Sequence, residues 1–157
     1  MLEVGIPGRE RLRLVHAVLD VNGTLACDGE LLPGVAERLR ALSASLEVHL
    51  LTGNTYGRQD EVDRALGLKA TRLSDRPGQA EEKAAYVRRL GATGVVAIGN
   101  GANDTLMLEV AALGIAVVGP EGTAGVTLRA ADVVVPDIGA ALDLLLRPRR
   151  LIATLRS

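Results

Sequence analysis

The chain has no phenylalanine and no tryptophan, and only two tyrosines. A core without large rings must be filled by Val, Leu, Ile and Ala, which suits parallel strands buried by helices. A single cysteine, Cys27, excludes an internal disulfide and thiolate metal clusters, and fits a reducing compartment. Neither sign of charge dominates: the net charge is -1, so bulk electrostatics give no reason to expect a nucleic-acid or other polyanionic partner. No apolar run approaches the roughly 20 residues that span a bilayer. Residues 1–13 carry early charges and no long apolar stretch, so they do not read as a signal peptide. The expectation is a soluble, cytoplasmic protein with no membrane partner.

What remains is 157 residues, 48% of them hydrophobic, enough for one domain with a proper core. Residues 1–13 form an N-terminal extension and 147–157 a C-terminal tail, read as an edge helix or subunit contact. Between them short apolar runs alternate with helix-like segments, with no linker, repeat or low-complexity stretch. Strands are predicted at 15–19, 48–51, 72–74, 95–98, 115–118 and 133–135. Helices are predicted at 35–44, 58–66, 79–90, 102–112 and 138–146, with one more between the last two strands. Pro33 and Gly34 open the first helix, and Gly67 and Gly91 stop two others. Strand alternating with helix predicts an α/β protein with a doubly wound parallel sheet in three layers. Only a flap-like hairpin at 25–32 fits between the first strand and first helix, so the fold is expected to be capless and its cleft open. Exposed sheet edges leave room for a homo-oligomer of no fixed number.

Two polar, glycine-bearing strand exits stand out. Asp20-Val21-Asn22-Gly23-Thr24-Leu25 follows the first strand, and Gly99-Asn100-Gly101-Ala102-Asn103-Asp104 follows the run at 95–98. Both fall at the carboxyl edge of the sheet, where open α/β folds bind ligands. Asp20 is the candidate nucleophile, because a carboxylate can attack phosphorus and split one transfer into two steps. Two anionic groups must then meet, and Mg²⁺ suits the task with its few protein carboxylates and retained waters. Gly23 lets backbone amides approach a phosphate. The blander alternative makes Asp20 a turn residue. Thr52 and the amides after it, starting at Gly53, could hold phosphate, though Thr-Gly-Asn is also ordinary turn chemistry. Lys83 is one of only two lysines among 18 basic residues. A compact point charge there would neutralise phosphate and nucleophile; otherwise it is a partner of Gln79 or a solvated residue. Asn103 could donate to phosphate or to Asp20. Asp104 either complements a helix dipole or supports metal or Lys83.

Taken in order, Asp, Thr, Lys and Gly-x-Gly-x-Asn-Asp resemble the haloacid dehalogenase superfamily of phosphohydrolases. The likeness is greatest to the phosphorylation domain of P-type ATPases and their soluble stand-alone relatives. Leu51-Thr52-Gly53-Asn54 is similar to the ATPases' Leu-Thr-Gly-Asp, and Ala102-Asn103-Asp104, the run at 112–116 and that at 130–134 resemble their later part. The resemblance covers roughly residues 15–145. It implies a Rossmann-like α/β/α fold, phosphorylation of Asp20, Mg²⁺ held by Asp20, the Asn22 carbonyl, Asn100 and Asp104, and a phosphorylated small molecule or phosphoprotein as substrate. No nucleotide-binding insertion, actuator domain or membrane helix accompanies it, so ion pumping is not expected.

The departures all replace carboxylates by amides. Asn22 stands where the family's phosphatases carry an acid–base Asp, Asn100 where a metal-binding Asp is expected, and Asn54 where the ATPases have Asp. An amide cannot shuttle a proton, and general acid–base help is typically worth about 10²–10⁴-fold. Slow hydrolysis is therefore the expectation, and a degenerate phosphate- or partner-binding module is the alternative. His16 and His49 lie in apolar strands and read as packed or edge histidines rather than ligands.

Overall fold

The computed structural model describes residues 1–53 and 57–157. Asn54 lies outside the described residues. Ordered along the chain, β1 (Leu2–Val4) and β2 (Leu12–Leu14) come first, then β3 (His16–Asp20), β4 (Ala26–Cys27) and β5 (Glu30–Leu31). Next are α1 (Val35–Leu42), β6 (Glu47–Thr52), α2 (Gln59–Leu66), β7 (Thr71–Arg72) and α3 (Gln79–Leu90). The second half holds β8 (Val95–Gly99), α4 (Thr105–Val110), β9 (Leu113–Val117), α5 (Gly125–Ala130), β10 (Val133–Val135), α6 (Ile138–Leu146) and α7 (Pro148–Leu155).

Six strands form one parallel sheet in the order β10-β9-β8-β3-β6-β7. The chain enters at β3, adds β6 and β7 on one side, and then crosses to add β8, β9 and β10 on the other. Strand order therefore reverses between β3 and β8, and a crevice opens there at the carboxyl ends.

Side chains alternate across each strand with period two. Ala17, Leu19, Leu50, Val96, Ile98, Ile115 and Val117 join the larger core, with residues of α1, α6 and α7. Val18, Leu51, Val95, Ala97 and Ala116 face the other way, onto Val87 of α3 and Met107 and Leu108 of α4. These are the expected three layers, built almost wholly from aliphatic side chains, with Met107 in the smaller core and Tyr86 packed against it. Helix ends follow local chemistry: Asp137 caps α6 by accepting from the Ala140 amide at 2.8 Å, and Gly91, at φ 88°, ends α3.

In the N-terminal extension β1 and β2 pair antiparallel and bury Val4 and Leu14 completely. Two sequence expectations are corrected. The helix expected at 102–112 is a 3₁₀ turn, Ala102–Asp104, followed by the six-residue α4. Asp104 bends back onto the Asn100 and Gly101 amides there, which holds the first turn tight. The strand expected at 72–74 is β7, which starts one residue earlier and is one residue shorter. Among the described residues, the β4–β5 hairpin is the only strand pair between β3 and α1.

Candidate active site

At the crevice, β3 ends in Asp20 and α3 sends Lys83 to meet it. The Lys83 ammonium donates to Asp20 Oδ1 at 2.6 Å and to Asp104 Oδ1 at 2.6 Å. Lys83 and Asp104 are fully buried, and Asp20 is nearly so. Lys83 is thus neither a solvated residue nor a surface partner of Gln79. It is also not open to the cleft: it is the cation between two carboxylates.

Asp104 uses its second oxygen to accept from the Asn100 and Gly101 amides, each at 2.9 Å. Both oxygens are engaged, so it supports Lys83 and the turn. Gly99 must be glycine for this to happen, since a β-carbon there would stand 2.5 Å from the Asp104 carboxyl.

Burial, and next the Asp104 charge, push the Asp20 carboxyl up from its ordinary value to about 7, against the opposing pull of Lys83. For Lys83, burial alone lowers the pKa, but Asp20 and Asp104 outweigh it and leave the ammonium above its usual value. One ammonium between two carboxylates leaves a buried unit of negative charge. Such a site favours taking up a proton or a cation.

The cleft beside Asp20 measures about 180 Å³, and Asn22, Gly53, Gln79, Asn100, Asn103 and Glu121 share its lining with Asp20 and Gly101. Thr52 is fully buried behind this wall and accepts from the Asn22 side-chain amide at 3.3 Å. Asn103 donates to Gln79 at 3.0 Å rather than to Asp20. The Thr24 hydroxyl lies 3.3 Å from Asp20 Oδ2 and 3.2 Å from Asn100 Oδ1. Its one proton can serve only one of them, so the two acceptors compete at close range. A larger cavity, about 740 Å³, lies at the opposite end of the sheet, far from this chemistry.

The oxygen donors fit a hard divalent cation. Asp20, Asn100 Oδ1 and Glu121 supply carboxylate and amide oxygens around one hollow, the donor type Mg²⁺ takes. Gly23, at φ 82°, makes the room: a β-carbon there would lie 2.8 Å from both Asn100 Oδ1 and Glu121 Oε2. The Asn100 amide is used at both ends, because its nitrogen donates to the Gly122 carbonyl at 3.0 Å. A carboxylate at 100 could not make that bond.

The structure therefore brings Asp20, Asn22, Gly53, Asn100 and Asn103 to one cleft, with Thr52, Lys83 and Asp104 directly behind it. Sequence reasoning missed Thr24, Gln79 and Glu121. Thr24 stands within the first motif, where its hydroxyl has no signal of its own. Gln79 lies one helical turn before Lys83, on the same face of α3. Glu121 follows the third strand exit, β9, within Gly119-Pro120-Glu121-Gly122.

No family model matches the chain. An uncharacterized protein of Methanocaldococcus jannaschii is 55% identical over 62 residues, which are 40% of this chain and 67% of that protein. A probable copper-transporting ATPase of Arabidopsis thaliana is 30% identical over 139 residues, which are 83% of this chain. The chain spans only 13% of that ATPase's length. Among solved structures, the 3-deoxy-D-manno-octulosonate 8-phosphate phosphatase of Moraxella catarrhalis, in complex with magnesium, phosphate and sugar, superposes with a TM-score of 0.67. That match covers 92% of this chain and 95% of the other at 19% identity, a likeness of fold. No described helix is long and apolar enough to cross a membrane.

Proposed function

We propose that the chain is a member of the haloacid dehalogenase superfamily, whose fold it shares, and a divalent-metal-dependent phosphohydrolase or phosphotransferase working through Asp20. The observation that carries this reading is the buried Asp20–Lys83–Asp104 array at the reversal point of the sheet, with both ion pairs at 2.6 Å.

Asp20, the Asn22 carbonyl, Asn100 and Glu121 would hold Mg²⁺, while Asp104 is kept for Lys83. When bound, the metal screens the repulsion between the carboxylate and the phosphate oxygens. Lys83 fixes the Asp20 carboxylate and offsets its charge. The Asp20 oxygen forms a bond to phosphorus as the bond from phosphorus to the leaving oxygen breaks, giving an aspartyl-phosphate. Gly53 and Asn103, with Gln79 holding the Asn103 amide, offer donors to the transferred phosphoryl oxygens. Water then attacks phosphorus, the bond to Asp20 breaks, and inorganic phosphate departs. The leaving oxygen takes its proton from solvent, because Asn22 has none to give. Both steps are therefore slow relative to a site carrying a carboxylic acid at that position. The small open cleft suits a phosphate monoester whose remainder stays outside, on a small molecule or a protein side chain.

The test is turnover of a generic aryl phosphate with Mg²⁺. Wild type should release phosphate, and Asp20→Asn should not. Absence of both turnover and labelled phosphate on Asp20 in the wild type would overturn the proposal in favour of a binding module.

A further inference from the structure

At the end of the sheet opposite Asp20, the two histidines of the chain meet. His16 opens β3 and His49 lies in β6, and the parallel register pairs His16 with Glu47 and Val18 with His49. Three donors converge as a result. His16 Nδ1 lies 3.1 Å from His49 Nε2 and 3.3 Å from Glu47 Oε2. His49 Nε2 lies 3.8 Å from Glu47 Oε1. Ligands held about 2.0–2.1 Å from one tetrahedral zinc ion stand about 3.3–3.4 Å from one another. The three separations bracket that value; the two rings meet different oxygens of Glu47, so its carboxylate lies across both imidazole nitrogens, and one donor atom from each of the three residues falls within 4.8 Å of the others.

The surroundings suit ligation. His49 Nδ1 is 3.0 Å from the Tyr86 hydroxyl, an outer partner that orients the ring and leaves Nε2 for the cluster. His16 also lines the 740 Å³ cavity, which gives the cluster a route to solvent. A plain hydrogen bond between the rings explains the 3.1 Å contact, but not the carboxylate. Glu47 is 67% exposed at its side chain, free to turn outward, yet it directs one oxygen to each ring.

We propose that His16, Glu47 and His49 bind one divalent transition ion of the zinc class, supported by Tyr86. Two imidazoles and a carboxylate select such an ion over Mg²⁺, which takes oxygen donors. The ion ties β3 to β6 at their starts and leaves its fourth position to water. The site is separate from the Asp20 cleft and does not depend on the phosphohydrolase reading.

The experiment uses the full chain, stripped with a chelator and titrated with Co²⁺ in excess Mg²⁺, which occupies the oxygen-lined cleft. One equivalent of Co²⁺ should produce the visible absorption of a tetrahedral ion, and Zn²⁺ should displace it. The signal should survive in Asp20→Asn. His49→Gln should lose at least about 100-fold in affinity, more than the loss from an outer-shell change. Glu47→Gln alters an exposed side chain, so it keeps the fold and should weaken binding at least about 10-fold. A wild type without the band, a band untouched by Glu47→Gln, or a band lost in Asp20→Asn would each overturn the proposal.

Discussion

Asp20 carries an internal conflict that can be measured. Its carboxyl is raised from 3.8 to about 7 by burial and then by Asp104, despite Lys83. The folded state thus binds a proton more tightly than the unfolded chain, and between about pH 4 and 7 its stability falls as pH rises. Below pH 4 both states are protonated and no penalty exists; above 7 it is fully present. A neutral amide of the same shape avoids it. Asp20→Asn should therefore match wild type near pH 4 and exceed it in stability above pH 7 without divalent cation. The ceiling is about 4 kcal/mol, the equivalent of the roughly three-unit shift. Urea unfolding across that range reads the difference; equal stability at pH 8 would show that Lys83 cancels the burial cost. Mg²⁺ should reverse the order, since it binds the charged carboxylate more tightly than a neutral amide oxygen. Position 22 sets a second expectation. Asn22→Asp restores a proton carrier beside Asp20 and should raise phosphate release by up to about 10⁴-fold. An unchanged steady-state rate would place the slow step elsewhere.

At the scale of elements, the site depends on how tightly β8 turns into α4. The Asp104 carboxyl folds back under Gly99 and takes two amides and Lys83 at once. Gly99→Ala would drive a β-carbon into it at 2.5 Å, so Asp104 must swing away and leave Lys83 with one partner. The expected result is a loss of at least about 1–3 kcal/mol from the overpacking, with activity falling further than Asn103→Ala makes it fall. Thermal unfolding and turnover together check this; a fully active, stable Gly99→Ala would mean the turn can shift at little cost. This turn also marks where sequence stops being informative. The runs at 95–98 and 133–135 and the helix at 79–90 were legible, because β-branched clusters and glycine stops have local signatures. Asp20, Asn100 and Asn103 were legible as strand-exit polar residues. That Asp104 folds backward, and that α4 has only six residues, depends on tertiary contacts that no local pattern encodes. The His16–His49 meeting was hidden for the same reason. Each histidine alone looks like packing, and only the β3–β6 register, 33 residues apart in sequence, joins them.

At the scale of the whole molecule, the two segments outside the central alternation are structural parts of the core. Leu151 of α7 is fully buried and Leu155 nearly so, in the same cluster as Val4, Ile6 and Leu14 of the N-terminal hairpin. The hairpin and the tail also touch directly, since a β-carbon at Gly8 would lie 2.6 Å from the Ser157 hydroxyl. All of this packs on the face of the sheet that carries α1 and α6, while Lys83 approaches from the face of α3 and α4. Stability and chemistry should therefore separate. Leu151→Ala leaves a cavity in the larger core and should cost about 2–5 kcal/mol. The folded fraction should keep its full rate per molecule, because α7 packs on α6 in the larger core, across the sheet from the helices that present Lys83 and Asp104. Lys83→Met should do the reverse to activity, removing it while preserving the helix that presents it. The decisive measurement is urea unfolding followed by two probes, backbone signal and cleft activity. A single coincident transition, shifted to lower urea in Leu151→Ala, means that hairpin, tail and catalytic sheet form one cooperative unit. Two separated transitions would instead make the hairpin and tail an independent layer, on which the Asp20 cleft does not rely.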